Sequence, residues 1–285
     1  KFLAEHKSPV KNRLVDAACF AVAGPIIDQS VKLTNLPWKI SAKNLKKELS
    51  LPATLLINDF SAIGYAIPYL NDKDRITLQP AKKQSNAPIA FLGAGTGLGV
   101  GLMTPTEKQK YLVLQTEGGH VDFAPTNAMQ QKILNFLSKK YHRVSVERVL
   151  SGHGLSNIYE YLQQDPPYGI PENPELLHKI ETIGSKDPAQ IISEFAIEKK
   201  DILAQIALDE FCKIYGAFCG NIGLSTLCYG GLYIAGGIAP KILPFIQKGD
   251  FIRKFKDKGR MSNLLNDIPL FLITDPDIGL KGSCW

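Results

Sequence analysis

The chain has 285 residues, of which 45% are hydrophobic and 21% are charged, which excludes a disordered, collagen-like or coiled-coil protein and favours two globular domains. Its net charge of +6 is not concentrated in any patch basic enough for nucleic-acid binding. The five cysteines are odd in number and scattered, which argues against a disulfide framework or a zinc site and favours a reducing, cytoplasmic compartment.

Apolar runs predict seven strands, which in chain order cover residues 17–26, 53–60, 87–95, 99–104, 111–116, 232–238 and 268–274. Ser41, Asn127, Asp201 and the pair Asp187-Pro188 precede helical patterns and are interpreted as helix start signals. Residues 163–188 contain five prolines and predict an exposed connection between helices. Strands mixed with helices of this length predict a fold of the α/β class.

Two uncharged stretches, residues 85–106 and 214–240, are long enough to suggest a membrane span. The first has a glycine at every second position from Gly93 to Gly101, a spacing that would weaken a helix. The second contains a helical segment, a glycine pair and a strand-like run, so no single helix covers it. Gly216 and Gly220 are spaced for close helix packing, which we expect to be against a sheet. The sequence predicts no membrane segment.

Residues 93–99 read GAGTGLG and directly follow a predicted strand. A glycine-rich turn that leaves a strand exposes backbone N–H groups, which suit phosphate oxygens. The glycine spacing fits neither the Walker-type loop nor the dinucleotide-binding GxGxxG motif. The segment is therefore interpreted either as a phosphate-binding loop or as a simple glycine-rich hairpin.

Asn58 and Asp59 follow an apolar run, at the expected carboxyl end of a strand. Ligands bind at such ends in open α/β sheets, and the pair offers an amide for sugar hydroxyls beside a carboxylate that can accept a proton. The alternative is structural, because either residue could form an Asx turn or cap the helical pattern that begins at Phe60.

The segment TEGGHVDF places Glu117, His120 and Asp122 around two glycines. Polar side chains on a tight turn near a phosphate loop favour a polyhydroxylated ligand over a metal cluster, since the acid-x-x-His pattern needs a helix to ligate metal. Glu147 is a further candidate. Its alternative role is that of a solvated acid, at the end of a helix, that pairs with a neighbouring arginine.

Seven motifs in chain order, AVAGPI, TNLPW, INDF, GAGTGLG, EGGHVDFAP, SVERVLSG and YIAGGIAPKI, together resemble the bacterial glucokinase family, particularly its cyanobacterial type. The resemblance implies a two-domain actin-like (ribonuclease H-like) ATPase fold, in which two α/β domains close around a sugar and ATP. It implies ATP- and Mg²⁺-dependent phosphorylation of glucose to glucose 6-phosphate, feeding glycolysis in the cytoplasm. The implied binding partner is glucose, and neither nucleic acid nor a membrane is expected as a partner. The resemblance is also compatible with a homodimer.

The resemblance also implies residue roles. Asp59 matches the catalytic base that takes the proton from the sugar 6-hydroxyl. The residues that match the sugar ligands are Asn58, Glu117, His120 and Glu147. Those that match nucleotide-binding loops are Gly93, Gly95, Thr96 and Gly97 in one loop and Gly236 and Gly237 in another. No residue is assigned as a metal ligand.

One departure from the family pattern concerns the start of the chain. The family opens with a strand hairpin that carries an Asp-x-Gly-Gly-Thr-Asn phosphate loop, whereas this sequence opens with KFLAEHK, which resembles the helix after that hairpin. We therefore expect this stretch alone to bind glucose but to lose ATP binding and turnover. The expected domains are residues 1–70 with 275–285, and residues 71–274. Two alternatives to an active kinase stay open: a sugar-binding regulator and a non-catalytic fragment.

Overall fold

A computed structural model describes residues 15–33, 37–107, 110–184 and 188–284. The chain divides into two compact units: unit 1 comprises the described residues up to Tyr69 and from Asp277 onward, and unit 2 comprises Leu70–Pro276. Three features singled out in the sequence lie outside the described residues, namely the KFLAEHK segment, residues 34–36 of the TNLPW motif, and Asp187.

The described strands are β1 (Ala18–Val22), β2 (Ser30–Lys32), β3 (Lys39–Ser41), β4 (Thr54–Asn58), β5 (Arg75–Gln79), β6 (Ile89–Ala94), β7 (Leu98–Pro105), β8 (Tyr111–Thr116), β9 (Gly231–Ala235) and β10 (Leu270–Ile273). All seven predicted strands are confirmed. The sequence predictions omit β2, β3 and β5. The first two have three residues each, and β5 alternates polar and apolar residues in a pattern too short to stand out from a loop.

The described helices are α1 (Ala42–Glu48), α2 (Asp59–Ala66), α3 (Ala128–Tyr141), α4 (Gly152–Gln164), α5 (Pro174–Thr182), α6 (Ala189–Glu194), α7 (Ile202–Thr226), α8 (Leu243–Gln247), α9 (Asp250–Lys256), α10 (Ser262–Asn266) and α11 (Ile278–Cys284). Short 3₁₀ turns lie between several of them, and α6 continues into a π-helical turn at Phe195–Lys199. Side-chain oxygens of Ser41, Asn127 and Asp201 accept backbone N–H groups in the first turns of α1, α3 and α7, which confirms these three caps.

Helix α5 corrects the prediction that residues 163–188 are merely an exposed connection. Asn173 accepts the N–H groups of Glu175 and Leu176, and Pro174 occupies the first helical position. Leu176 is fully buried in the core of unit 2. An N-cap followed by proline at the first position is itself a start signal, so the local sequence contained the information.

The described part of unit 1 contains two small pairs of strands and the helices α1, α2 and α11. β1 and β4 are parallel, with Val22 paired to Asn58 at their carboxyl ends, and β2 and β3 form an antiparallel pair. Val31, Ala42 and Leu56 form a buried cluster among the described residues of unit 1. Because β4 passes directly into α2, the residues at this junction stand at the carboxyl end of a parallel strand.

Unit 2 is built on a six-stranded mixed sheet in the order β5-β10-β9-β6-β7-β8. The three central neighbours β10, β9 and β6 are parallel, whereas β7, β8 and β5 pair antiparallel. Alternate residues of these strands, such as Leu92 and Ile234, enter a large core that also contains the buried side chains of α4 and α7. The mixed α/β class is confirmed.

The glycine pair of α7 packs against another helix, which corrects the expectation that it packs against a sheet. A Cβ atom at Gly216 would lie 2.1 Å from the carbonyl oxygen of Phe251, and one at Gly220 would lie 2.3 Å from that of Phe255. Both carbonyls belong to α9. The sheet prediction was wrong because small residues only show that a backbone approaches closely. Among the described residues, no helix is both long and apolar enough to cross a membrane.

Candidate functional site

Asn58 and Asp59 form the junction between β4 and α2. The Asn58 side-chain oxygen accepts the N–H groups of Phe60 and Ser61, both at 3.0 Å, so Asn58 caps the helix as the structural alternative proposed. Its amide group donates to the carbonyl of Gly24 at 3.3 Å. An amide carries two N–H donors, so one remains for another acceptor.

Asp59 is the first residue of α2 and is exposed. Its Oδ1 accepts the Phe60 N–H at 2.8 Å, which it shares with Asn58. Within the described residues Asp59 makes no ion pair, and the hydrogen bond that its side chain accepts comes from this N–H. The carboxylate therefore keeps acceptor capacity for a ligand.

The GAGTGLG segment forms the turn between β6 and β7, with Gly93 paired to Gly99. The segment is therefore a glycine-rich hairpin, as one of the two interpretations predicted. A hairpin of this kind can also bind phosphate, so the phosphate-loop interpretation stays a prediction. Thr96 is exposed at the tip, and the Gly95 N–H donates to the Gly97 carbonyl at 2.8 Å. The Gly95 carbonyl accepts the N–H of Gly152, the first residue of α4, at 2.8 Å. This bond ties the turn to the start of a helix.

The two candidate glycine loops lie side by side at the carboxyl ends of the parallel strands β6 and β9. A Cβ at Gly93 would lie 2.8 Å from the Ala235 carbonyl oxygen, and one at Gly236 would lie 2.5 Å from the Ala94 carbonyl oxygen. Gly236 also has φ of +83°, which side chains rarely adopt. Glycine is needed at both positions because the loops pass so closely.

A cavity of about 500 Å³ opens beside these loops. Its walls are Gly95, Thr96, Gly152, Leu155, Ala189, Gln190, Ser193, Glu194, Ile197, Glu198, Ile238, Lys241 and Ile242. Apolar side chains from α4 and the segment after β9 make one part, and polar and acidic side chains of α6 and its π-helical turn make another. A concave pocket that combines apolar walls with polar groups is typical of a small-molecule site.

Leu98 is the point where three candidate segments meet. Its N–H donates to Glu147 Oε2 at 2.9 Å. Its carbonyl faces the 3₁₀ turn Gly118–His120, where a Cβ at Gly119 would lie only 2.1 Å from the Leu98 oxygen. The segments 121–123 and 144–146 are joined by the Val146 N–H to the Val121 carbonyl at 2.9 Å. The structure thus brings Glu147 and the turn that follows Glu117 to the base of the glycine hairpin.

The arginine-pairing alternative for Glu147 is wrong. Arg143 pairs with Asp122 at 2.7 Å and donates to the carbonyl of His120. The Arg148 guanidinium lies over the ring of Tyr141, 4.1 Å from its centroid. Both cations are held elsewhere, which leaves the half-buried Glu147 carboxylate with a backbone N–H as its partner.

Glu117 and His120 are exposed, and His120 Nε2 lies 3.9 Å from Glu117 Oε2. In the described part of the chain, no three His, Cys, Asp or Glu side chains are close enough to hold a metal ion. The turn therefore presents a carboxylate and an imidazole to the surface, and both can hydrogen-bond hydroxyl groups.

Comparison with known proteins shows which family the chain belongs to. The family model described as glucokinase matches residues 1–285. The chain belongs to the glucokinase family. The resemblance inferred from the seven motifs is confirmed.

Named relatives agree with the glucokinase assignment. The chain is 45% identical to the glucokinase of Trichormus variabilis over 278 residues, which cover 94% of this chain and 80% of the relative. A glucokinase crystal structure from an Antarctic psychrotroph is 33% identical with a TM-score of 0.79, covering 93% and 78%. A glucokinase of Balamuthia mandrillaris in complex with glucose is 22% identical with a TM-score of 0.74, covering 93% and 76%, and shows the likeness of fold. The predicted actin-like kinase fold is confirmed.

No role was assigned from the sequence to several residues at this candidate site. Ser151, buried at the start of α4, donates to the Glu147 carbonyl at 2.8 Å and accepts the Gly154 N–H at 3.0 Å. The polar cavity residues Gln190, Ser193 and Glu198 come from a segment that carries no motif. This segment does contain a structural indication of function, a π-helical turn, and such turns are frequent at functional sites.

Proposed function

We propose that this chain transfers the γ-phosphoryl group of ATP to the 6-hydroxyl of glucose, forming glucose 6-phosphate and ADP. The observation that carries the proposal is the glucokinase family match over residues 1–285. The paired glycine loops beside a cavity of about 500 Å³ support it, because phosphoryl transfer depends on positioning and on neutralising phosphate charge.

In this proposal Asp59 accepts the proton of the glucose 6-hydroxyl as that oxygen attacks the γ-phosphorus. Its exposure, its lack of an ion pair within the described residues and its place at the end of β4 support the role. A general base needs a free acceptor within hydrogen-bond reach of the proton that it takes. The neighbouring cap formed by Asn58 fixes the backbone that carries this carboxylate.

We assign the ring hydroxyls of glucose to Asn58, Glu117, His120 and Glu147. Asn58 has one amide N–H left to donate, and Glu147 has its Oε1 left to accept. Glu117 and His120 would use exposed polar atoms. Carboxylates are strong acceptors for hydroxyl groups, since hydrogen bonds to charged groups are stronger than neutral ones.

The cavity beside Thr96 is assigned to the nucleoside of ATP, with its phosphates toward the loops of Gly93, Gly95, Gly97, Gly236 and Gly237. Gly152, the first residue of α4, lines the same cavity. Mg²⁺ would enter with the nucleotide as part of the substrate, since it binds chiefly through phosphate oxygens and one or two carboxylates.

We further propose that units 1 and 2 correspond to the small and large domains expected from the family, residues 1–70 with 275–285 and residues 71–274. A cytoplasmic homodimer remains a prediction.

The reaction is tested on the protein as its gene encodes it, with glucose and Mg·ATP. We expect one glucose 6-phosphate for each ADP formed. The analogue 6-deoxyglucose lacks the attacking hydroxyl, so it should bind competitively and give no sugar phosphate. Glucose binding without ADP formation would instead indicate a sugar-binding regulator, and ADP formation without sugar phosphate would indicate a plain ATPase.

A further inference from the structure

A buried tyrosine of α7 contacts the backbone at the end of β6. The side chain of Tyr215 is fully buried, and its hydroxyl oxygen accepts the N–H of Ala94 at 3.3 Å. Ala94 is the last residue of β6, and the pairing of β6 with β9 ends one position earlier, at Gly93. The hydroxyl of Tyr215 therefore supplies a hydrogen-bond partner just beyond the paired part of the strand.

Ala94 is connected to both candidate nucleotide loops. The chain continues from it directly into Gly95 and Thr96 of the first loop, which line the cavity of about 500 Å³. The Ala94 carbonyl accepts the N–H of Ile238 at 3.4 Å, and Ile238 follows the second loop and also lines this cavity. The same carbonyl oxygen would lie 2.5 Å from a Cβ atom at Gly236. A displacement of Ala94 must therefore displace both loops.

The ring of Tyr215 is held by two other aromatic rings. Its centroid lies 6.1 Å from that of Phe211 and 5.7 Å from that of Phe251, and both pairs pack edge to face. Phe211 lies one turn earlier in α7, and Phe251 belongs to α9. Burial raises the pKa of Tyr215 well above its ordinary value, so the hydroxyl is neutral. The packed rings thus hold a neutral hydroxyl at the N–H of Ala94.

We propose that Tyr215 is a positioning residue for the nucleotide, because its hydroxyl holds Ala94 and thereby fixes the two glycine loops relative to each other. The inference rests on the function proposed above, which assigns these loops to the phosphates of ATP. Tyr215 does not line the cavity, so it acts through the backbone of Ala94. Phosphoryl transfer depends on positioning, so the hydroxyl should matter for the nucleotide and much less for glucose.

Tyr215→Phe removes one oxygen atom and keeps the packed ring. Ala94 is fully buried, so its N–H would then lie in the core without an acceptor. A buried and unpaired N–H is unfavourable, and the backbone must shift or admit water to satisfy it. Either response changes the position of the residues that follow Ala94 in the first loop and of the second loop that contacts its carbonyl.

Tyr159 of α4 supplies a matched control. It is also fully buried in the core of unit 2, but its hydroxyl has no hydrogen-bond partner among the described residues. Tyr159→Phe is the same chemical change and breaks no described hydrogen bond. Both loops should therefore keep their positions in this variant.

The test uses the protein as its gene encodes it, at a temperature at which each variant is folded by circular dichroism. ADP affinity is measured by calorimetry, which requires no turnover, beside glucose affinity and kcat/KM for Mg·ATP. For Tyr215→Phe we expect about fivefold weaker ADP binding and about tenfold lower kcat/KM for ATP, with glucose affinity within about twofold of the original. Tyr159→Phe should keep all three values.

Unchanged ADP affinity and kcat/KM in Tyr215→Phe would overturn the proposal. Equal losses in Tyr159→Phe, or a loss of glucose affinity as large as that of ADP, would also overturn it, since both indicate a general effect on the core. If Tyr215→Phe fails to fold, replacing Tyr215 with 4-fluorophenylalanine fills the volume of the hydroxyl with a poor acceptor, and the same losses are expected.

The ADP measurement also separates this inference from the proposed function. An unmodified protein that binds ADP but forms no glucose 6-phosphate would contradict the proposed function. Weaker ADP binding by Tyr215→Phe in that case would still support the positioning role of the hydroxyl.

Discussion

At the scale of single residues, Leu98 joins two segments that carry proposed sugar ligands. Its N–H is used by Glu147 and its carbonyl lies against Gly119, so one backbone position aligns two candidate segments. Such alignment matters because a binding group displaced by even 1 Å loses much of its effect.

Gly119→Ala tests this alignment. The added Cβ would lie 2.1 Å from the Leu98 carbonyl oxygen, so the backbone must move. We expect a loss of about 1–3 kcal/mol in unfolding free energy and weaker glucose binding, measured by urea unfolding and calorimetry. Gly279→Ala is the control, since no heavy atom beyond its own helix and chain neighbours lies within 4 Å of its Cβ position. Unchanged stability and affinity in Gly119→Ala would contradict the close contact.

Glu147 combines an anchoring role with the proposed binding role, and two substitutions separate them. Glu147→Gln keeps an acceptor for the Leu98 N–H but loses the charge, so we expect nearly unchanged thermal stability and about fivefold to tenfold weaker glucose binding. Glu147→Ala should lose stability as well. Calorimetry in which the glutamine variant binds glucose as tightly as the unmodified protein would exclude Glu147 as a sugar ligand.

At this scale, the sequence could predict the position of a candidate residue when that position depends only on its neighbours in the chain. Asn58 and Asp59 follow a strand, and Gly93 to Gly99 form a turn, so their positions could be predicted. The contact of Glu147 with Leu98 could not, because the two residues are 49 positions apart and only the fold joins them.

At the scale of elements, α7 depends on its two small residues. The Cβ atoms that alanine would add at Gly216 and Gly220 meet backbone carbonyls of α9, which cannot rotate away as a side chain could. The helix spans 25 residues and is mostly buried, so its packing supports the core of unit 2.

Gly216→Ala should have two opposing effects on the free energy of unfolding, one from helix propensity and one from packing. Alanine favours a helix over glycine by about 1 kcal/mol. The contact of 2.1 Å with the Phe251 oxygen requires α7 and α9 to separate, and overpacking costs about 1–3 kcal/mol or more. We expect a net loss in urea unfolding, whereas Gly279→Ala in α11 should be neutral or stabilising. A more stable Gly216→Ala protein would show that the helices have room.

The elements themselves were predictable to the extent that their periodicity is strong. Buried strands such as β6 and β9 are continuous apolar runs. β5 lies at the sheet edge, where one side is unpaired, so its pattern is mixed and escapes a search for apolar runs. The element that packs against α7 could not be predicted either, since small residues indicate a close neighbour but not which element it is.

At the scale of the whole molecule, stability should depend on pH through Lys83. Its folded pKa of about 8, lowered chiefly by burial, lies below its ordinary value of 10.5, so the folded state binds fewer protons between these values. This contribution therefore stabilises the protein increasingly as pH rises through the window.

Lys83→Gln should remove this dependence. The difference in unfolding free energy between the unmodified protein and the variant, measured in urea at pH 7.5 and pH 9, should shift in favour of the unmodified protein at the higher pH. Taking the difference cancels other groups that titrate there, such as the thiol of Cys19, whose pKa is raised by burial. A difference that is constant with pH would show that Lys83 has an ordinary pKa.

Asp59, the proposed base, belongs to unit 1, and the cavity assigned to the nucleoside of ATP belongs to unit 2. The family assignment covers both units. The central claim is that the chain phosphorylates glucose with Asp59 as the base.

The most direct test is the kinetics of Asp59→Asn in the protein as its gene encodes it, with Asp16→Asn, another exposed acid of unit 1, as the matched control. Asparagine keeps the shape and a hydrogen-bonding group but cannot accept the proton. We predict that kcat for glucose phosphorylation falls by about 10²- to 10⁴-fold, while glucose affinity measured by calorimetry falls much less and the control keeps both. An Asp59→Asn protein that retained more than about half of the original kcat would contradict the account.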